Sequence, residues 1–220
     1  MLNSRNRNFL IKYGPSSIHD DHIAHGIHQE STAKSLTITP DHIDRIWPTA
    51  TTLDKRHMIA NHYDRMSDKI KAKIDESETL SRHACEYVKD PEKIHQNIDS
   101  GDFNKIHVSS HNENLNQDHI SKILDHKNAD EFAYGIANHK LSDENFDKFL
   151  AVNDHMSIAL HLRTHKLSPD RLKKIIDQPN IHSTNRMDRI GSIGIHQDHF
   201  DVRSYINGKY RFGRPISQVE

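Results

Sequence analysis

The sequence predicts an all-α protein, an α-solenoid of about seven or eight two-helix repeats of about 26 residues. Sequence blocks that begin at Leu115, Leu141 and Leu167 are copies of one pattern, spaced 26 residues apart. Each copy opens with a helix-start signal and continues with apolar residues at helical spacing. A fixed period of this length is typical of stacked units that bury their apolar faces on one another.

Each clear repeat begins with residues that favour a helix N-terminus. Ser, Thr or Asn stands where its side chain can accept a hydrogen bond from a free N–H of the first turn. These candidate N-caps are Thr39, Asn116, Ser142 and Ser168. Pro40 and Pro169 follow at the first helical position, where a missing N–H costs nothing.

The first helix of each repeat carries an apolar stripe with i, i+3, i+4 spacing, which marks one helical face. The matching triplets are Ile120, Ile123 and Leu124; Phe146, Phe149 and Leu150; Leu172, Ile175 and Ile176; and Ile43, Ile46 and Trp47. Trp47 takes a position that holds Leu or Ile in the other repeats, so we expect it in the core.

A second helix follows a short polar turn and has a stripe of its own. Its members are Phe132, Ala133, Ile136 and Ala137 in one repeat and Ile158, Ala159 and Leu162 in the next. Weaker copies begin within residues 66–74, 91–98, 19–23 and 196–200. The pattern therefore predicts helix pairs along most of the chain.

The capped Ser/Thr-Pro-Asp start, the Leu/Ile stripe and the short Ala-containing helix that ends in Asn-His resemble short HEAT-like and leucine-rich-repeat-variant units. The resemblance covers roughly residues 38–200. Arrays of this kind occur in bacterial and tailed-phage proteins. The resemblance implies binding to other macromolecules, with a virion or host-interaction role if the chain is phage-encoded, and it implies no catalytic residues.

The amino-acid composition argues against several classes of protein. Hydrophobic residues make up 34% and charged residues 28%, which suits a thin repeat array better than one large core. The net charge of −1 argues against a dedicated duplex-binding protein. The single cysteine, the lack of a long apolar run and the lack of a signal-peptide core predict a cytoplasmic location, in the host cytoplasm or the virion if phage-encoded.

Three regions follow from these patterns: an N-terminal basic extension at 1–17, the repeat array at 18–200, and a basic and aromatic segment at 201–220. Asn207-Gly208 in the last segment is a hairpin signal. The candidate partner-binding residues are Arg203, Tyr205, Lys209, Tyr210, Arg211, Phe212 and Arg214. This segment could cap the last repeat, dock a protein partner, or contact nucleic acid.

The 20 histidines raise the question of a metal site. His62, His139 and His165 stand at equivalent repeat positions, which form a ladder rather than a cluster. Histidines near helix C-termini more simply contact free carbonyls and the negative end of the helix dipole. His19, His22, His25 and His28 share a helical face, which we interpret as solvated. We expect neither a metal nor a cofactor.

Nucleophilic catalysis finds no support. Cys85 and His83 are two positions apart and do not face each other on a helix. No nucleophile elbow, P-loop or dinucleotide fingerprint occurs. The sequence therefore predicts a non-enzymatic adaptor or structural component that binds another protein, without a membrane partner.

Two alternatives remain open from the sequence. One is a nucleic-acid-binding HEAT-like protein, possibly related to DNA repair, which requires Lys and Arg of successive repeats to converge on one surface. The other is a pH switch driven by the histidines between about pH 5 and 6.5.

Overall fold

The computed structural model describes residues 38–178, the helical positions Ile23 and Ile27, and four strand residues near the C-terminus. The described part of 38–178 is helical, which confirms the all-α class. Its helices are α1 (Pro40–Ile46), α2 (Thr52–His62), α3 (Asp68–Asp75), α4 (Glu78–Ala84), α5 (Pro91–Asp99), α6 (Phe103–Ser109), α7 (Gln117–Leu124), α8 (Ala129–Ile136), α9 (Asp143–Val152), α10 (His155–Thr164) and α11 (Pro169–Ile176).

The chain divides into two compact units, residues 1–114 and 115–220. We call the odd-numbered helices first helices and the even-numbered ones second helices. In the first unit, α3 packs on α4 and α5 on α6, while α4 also contacts the second helices α2 and α6. In the second unit, α7 packs on α8 and on α9, and α8 packs on α9 and α10. Within each unit, several helices therefore contact both their pair partner and a helix of a neighbouring pair.

The candidate N-caps all cap the helices predicted for them. The Thr39, Ser142 and Ser168 hydroxyls accept hydrogen bonds from the N–H groups of His42, Asn145 and Arg171, and the Asn116 side chain accepts one from His119. Pro40 and Pro169 are the first residues of α1 and α11. The weaker copies at 66–74 and 91–98 also form helices, α3 and α5.

The predicted stripes form the buried core of both units. All twelve residues of the first-helix triplets are buried, and so are the seven named residues of the second helices. Phe132, Phe146 and Phe149 are the largest of those that are less than 2% exposed. Trp47 is 3% exposed, which confirms its predicted place in the core.

Side-chain hydrogen bonds between helix pairs repeat with the sequence period. Many of the bonds that join distant parts of the described chain link positions 23 to 30 apart, and the Lys93–Asp75 pair spans 18. Examples are Ser67 to Asp44, His83 to the Arg56 carbonyl, Asn145 to the Gln117 carbonyl and Gln178 to the Leu150 carbonyl. One pair thus bonds to the next at intervals of about one repeat.

At the C-terminus, Tyr210–Arg211 (β1) and Arg214–Pro215 (β2) form an antiparallel pair in which Arg211 faces Arg214. The pair therefore closes between Arg211 and Arg214. Asn207 and Gly208, which the sequence singled out for a hairpin turn, lie outside the described residues, as do most of 19–23 and all of 196–200.

No helix in the described part of the chain is long and apolar enough to cross a bilayer.

Candidate functional site

Large apolar side chains are exposed on the second helices. Of the described residues, the large hydrophobic ones with high exposure are Leu53 at 50%, Phe103 at 41%, Tyr134 at 52% and Met156 at 60%. Leu53 lies on α2, Phe103 on α6, Tyr134 on α8 and Met156 on α10. A single exposed apolar residue is unremarkable, but here all four lie on one class of helix.

The first helices of the second unit carry charges that are paired with each other. Lys148 on α9 bonds Asp125 at 2.6 Å, and Lys174 on α11 bonds Asp147 at 2.5 Å. These lysines stand 26 residues apart, and each reaches a carboxylate of the preceding pair. The charges on this set of helices therefore join successive pairs to each other.

Arg171 makes the most extensive of these contacts. Its guanidinium bonds Asp143 at 2.6 Å and the Leu141 carbonyl at 2.9 Å, and it lies 4.8 Å from the ring centroid of Phe146. The hydrogen bond from Arg171 lowers the pKa of the Asp143 carboxyl, and its positive charge adds to the effect. Arg171 therefore holds α11 against α9 within the second unit.

The first unit contains a cleft of about 460 Å³ where the C-terminal ends of three second helices come together. The lining residues are Ile59, Ala60, Asn61, His62, Tyr63, Asp64, Arg65, Glu86, Tyr87, Lys89, His111, Glu113 and Asn114. They belong to the ends of α2, α4 and α6 and the turns that follow. Because helix C-termini carry partial negative charge, the backbone itself makes this cleft favourable for cations.

Charged side chains strengthen that preference. Lys89 pairs with Asp64 at 2.5 Å, and this hydrogen bond raises the pKa of Lys89. Within the described lining, Asp64 is the carboxylate that forms an ion pair, while Glu86 and Glu113 form none. Burial raises the pKa of Tyr63 to about 12, and the charge of Asp75 contributes. A positively charged group would therefore find Glu86 and Glu113, two carboxylates outside ion pairs whose charges act on His111 and Lys89.

An aromatic stripe runs along α6 towards this cleft. The rings of Phe103 and His107 are stacked at 6.1 Å between centroids, and those of His107 and His111 meet edge-on at 5.6 Å. The three residues are spaced i, i+4, i+8 and all are exposed. Partial desolvation lowers the pKa of His111, and the neighbouring His107 lowers it further. The His111 ring is therefore neutral near pH 7.

The histidines at equivalent repeat positions lie at the ends of second helices, as predicted. His62 ends α2, His165 caps α10, and His139 lies in the turn after α8, beyond Ala137 and Asn138. In the region that the structure describes, no three metal-ligating side chains gather in one place. His19, His22, His25 and His28 lie outside that region.

The sequence did not identify His161 as a core residue. Its side chain is 1% exposed, its Nδ1 lies 2.9 Å from the Ala137 carbonyl oxygen, and its ring packs 5.4 Å from Phe149 and 4.4 Å from His165. The spacing from Ile158 was the available signal, because i+3 places residue 161 on the buried stripe. The buried ring joins α10 to the preceding helix pair.

Cys85 is 1% exposed, and burial raises the pKa of its thiol, which keeps the sulfur in its less reactive protonated form. The His83 ring contacts Tyr87 and the Arg56 carbonyl. His83 thus has contacts of its own, and the Cys85 thiol is buried.

The candidate partner-binding residues of the C-terminal segment are not tested. Arg203, Tyr205, Lys209 and Phe212 lie outside the described residues, and Tyr210, Arg211 and Arg214 are described as strand backbone alone. The candidate binding surfaces described above are therefore all formed by the helix pairs within residues 38–178.

Comparison with known proteins found no match. No family model matches the chain, and neither a curated protein nor a solved structure shows significant similarity to it.

Proposed function

We propose that this protein is a non-catalytic helical-repeat protein that binds another protein through its second helices, as an adaptor or structural component. The observation that carries the proposal is the location of the exposed Leu53, Phe103, Tyr134 and Met156 on second helices. Aromatic residues and Met are enriched in protein interfaces, and buried aromatic anchors supply much of the binding energy.

The distribution of charge supports a protein partner over nucleic acid. A phosphate-binding track needs Lys and Arg side chains that are available to phosphates. In the second unit, Lys148, Lys174 and Arg171 are instead bound to Asp125, Asp147 and Asp143. Binding a phosphate would first require these ion pairs to open.

The solenoid arrangement belongs to the same proposal. Packing between successive pairs and hydrogen bonds at intervals of about one repeat support stacked layers within each unit. Such stacking gives equivalent helices a shared surface. A virion or host-interaction role, and a cytoplasmic location, stay predictions from the sequence.

The test is site-specific photo-crosslinking in an extract of the source organism. A crosslinking amino acid is placed at Tyr134 on second helix α8 or, as the matched control, at exposed Lys122 on first helix α7. We expect a protein adduct from position 134 and much less from position 122. Tyr134→Ser should then weaken binding of the purified adduct partner by about tenfold, and Lys122→Ser should leave it nearly unchanged.

Two results would overturn the proposal. One is an adduct that disappears on nuclease treatment, which would favour the nucleic-acid alternative. The other is equal crosslinking from positions 134 and 122, which would show that second helices have no special role.

A further inference from the structure

The aromatic stripe and the cleft of the first unit form one continuous feature. Phe103, His107 and His111 follow the exposed face of α6, and His111 is also part of the cleft lining. Tyr87, at the end of α4, lines the cleft as well. A row of exposed rings therefore leads into a space whose walls carry Glu86 and Glu113.

We propose that this surface binds an arginine-containing extended segment of a partner protein, with guanidinium groups stacked on the His107 and His111 rings and paired with Glu86 and Glu113. This inference rests on the proposed function and names the chemistry of one partner. Guanidinium is planar, stacks on aromatic faces and presents a fork that fits a carboxylate.

The dimensions of the cleft agree with such a ligand. Its volume of about 460 Å³ lies within the range of ordinary ligand pockets, roughly 300–1,000 Å³. Rings spaced one helical turn apart offer successive stacking sites along about 5.4 Å per turn. An extended chain advances about 3.3 Å per residue, so alternate side chains can reach neighbouring rings.

Charge complementarity decides between a basic partner and an anionic one. The cleft has three carboxylates (Asp64, Glu86 and Glu113) and two permanent cations (Arg65 and Lys89), of which Lys89 is bound to Asp64. The C-terminal ends of α2, α4 and α6 add negative dipole charge. A phosphate or an acidic peptide would meet net repulsion.

Acidification should act on this surface in a defined direction. The groups around His111 are His107 in the last turn of α6, Glu86 after α4, and Lys89 and Glu113 in the cleft lining. Protonation of His111 adds positive charge beside the bound guanidinium groups. An arginine segment should therefore dissociate as the pH falls from about 7.5 to 5.5.

The probe is a short, dye-labelled peptide of alternating arginine and glycine, titrated against the full chain by fluorescence anisotropy at low salt. We expect saturable binding near pH 7.5 that weakens towards pH 5.5. Replacing both carboxylates (Glu86→Gln with Glu113→Gln) should weaken binding by about fivefold or more. Replacing both rings (His107→Ala with His111→Ala) should weaken it by about threefold or more.

Glu92→Gln is the matched control, because Glu92 is an exposed carboxylate of the same unit on first helix α5, outside the cleft lining. It should change the affinity less than twofold. A lysine–glycine peptide should bind more weakly than the arginine peptide, because ammonium groups lack the planar fork. Circular dichroism of each variant verifies that the fold is retained.

Three outcomes would overturn the inference: no saturable binding, an equal loss for Glu92→Gln and the cleft variants, or tighter binding at lower pH together with binding of a single-stranded oligonucleotide at the same site. None of these outcomes would change the crosslinks expected from Tyr134 in the second unit. Failure here is therefore distinguishable from failure of the proposed function.

Discussion

At the residue scale, buried polar side chains connect one helix pair to the next. Asn112 is fully buried, and its amide nitrogen donates to the carbonyls of Cys85 at 2.8 Å and Val88 at 2.7 Å. Its Oδ1 accepts from the N–H of Asn114 at 2.9 Å. These bonds satisfy carbonyls at the end of α4 that have no partner within their own helix.

Asn112→Ala should destabilise the first unit by about 2–4 kcal/mol, because two buried carbonyls lose their donor. Urea unfolding followed by the fluorescence of Trp47, the single tryptophan, measures this unit directly. Asn104→Ala, at an exposed position of α6, should change the free energy of unfolding by less than about 0.5 kcal/mol. Similar effects of the two substitutions would contradict this role for Asn112.

The stability of the first unit should fall in acid because His83 and His111 are partly desolvated. Burial is the main cause that lowers the pKa of both below the ordinary value of 6.5. Between the folded and unfolded pKa values, the unfolded chain binds more protons, so stability is lost as the pH falls below about 7. The pKa is lowered for His83 and for His111, so each of them contributes a loss of stability in acid.

His83→Gln with His111→Gln should therefore flatten the dependence of stability on pH between about 7 and 5.5. The measurement is the urea midpoint of Trp47 fluorescence at several pH values. Each histidine contributes at most about 1.4 kcal/mol per pH unit, the value for one proton. Parallel curves for the variant and the original chain would show that these two groups do not control the acid response.

At the element scale, each helix is held by its cap and by side chains from neighbouring pairs. Ser142 caps α9 by accepting from the N–H of Asn145 at 3.1 Å, while its own N–H donates to the Gln117 side chain at 2.7 Å. Helices of 7–11 residues are marginal alone in water. Capping and packing therefore act together to stabilise them.

Ser142→Ala should lower the stability of the second unit by about 1 kcal/mol, because an N–H of the first turn loses its acceptor. Hydrogen exchange of the α9 amides, followed by mass spectrometry, provides the readout. Ser142→Asp should restore protection, since Asp is an equally good N-cap. If Ala and Asp behaved alike, the cap would not contribute to stability.

Arg171 should matter more than Lys174, although both pair with an Asp of the preceding first helix. The Arg171 side chain is 19% exposed, against 48% for Lys174, and it also bonds a carbonyl and packs on a ring. Arg171→Ala should cost about 1–3 kcal/mol and Lys174→Ala less than about 1 kcal/mol. Thermal unfolding of the two variants by circular dichroism tests this ranking, and the reverse order would contradict it.

At the scale of the whole molecule, one sequence period runs through both compact units. In each unit, several helices contact both their pair partner and a helix of a neighbouring pair, and polar bonds span about one repeat. Stability in such an arrangement is the sum of local terms and nearest-neighbour terms. A local substitution should therefore act locally.

Ile123→Val, at a fully buried position of α7, tests this expectation and should cost about 0.5–1.5 kcal/mol. Faster hydrogen exchange is expected in α7 and in α8 and α9, which contact it. Protection in α11 should change little. Uniform loss across α7 to α11 would instead indicate one all-or-none cooperative domain.

Much of the fold was predictable because its signals are local. Ser168 and Pro169 mark the start of α11, and Leu172, Ile175 and Ile176 mark its buried face, all within a few residues of chain. His161 was missed because histidine is not counted as apolar, although its spacing places it on a buried stripe. The partners of Asn112 were not predictable, since they lie more than 20 positions away.

The sequence by itself determined the helices, their caps and their buried faces, because capping and i, i+3, i+4 spacing act within one or two turns. Only the tertiary structure decided that Glu86, His111 and Glu113 share one cleft. Pair-on-pair packing brings the ends of α2, α4 and α6 together, and no local pattern records which side chains then meet. The candidate binding surface therefore arises from packing between repeats.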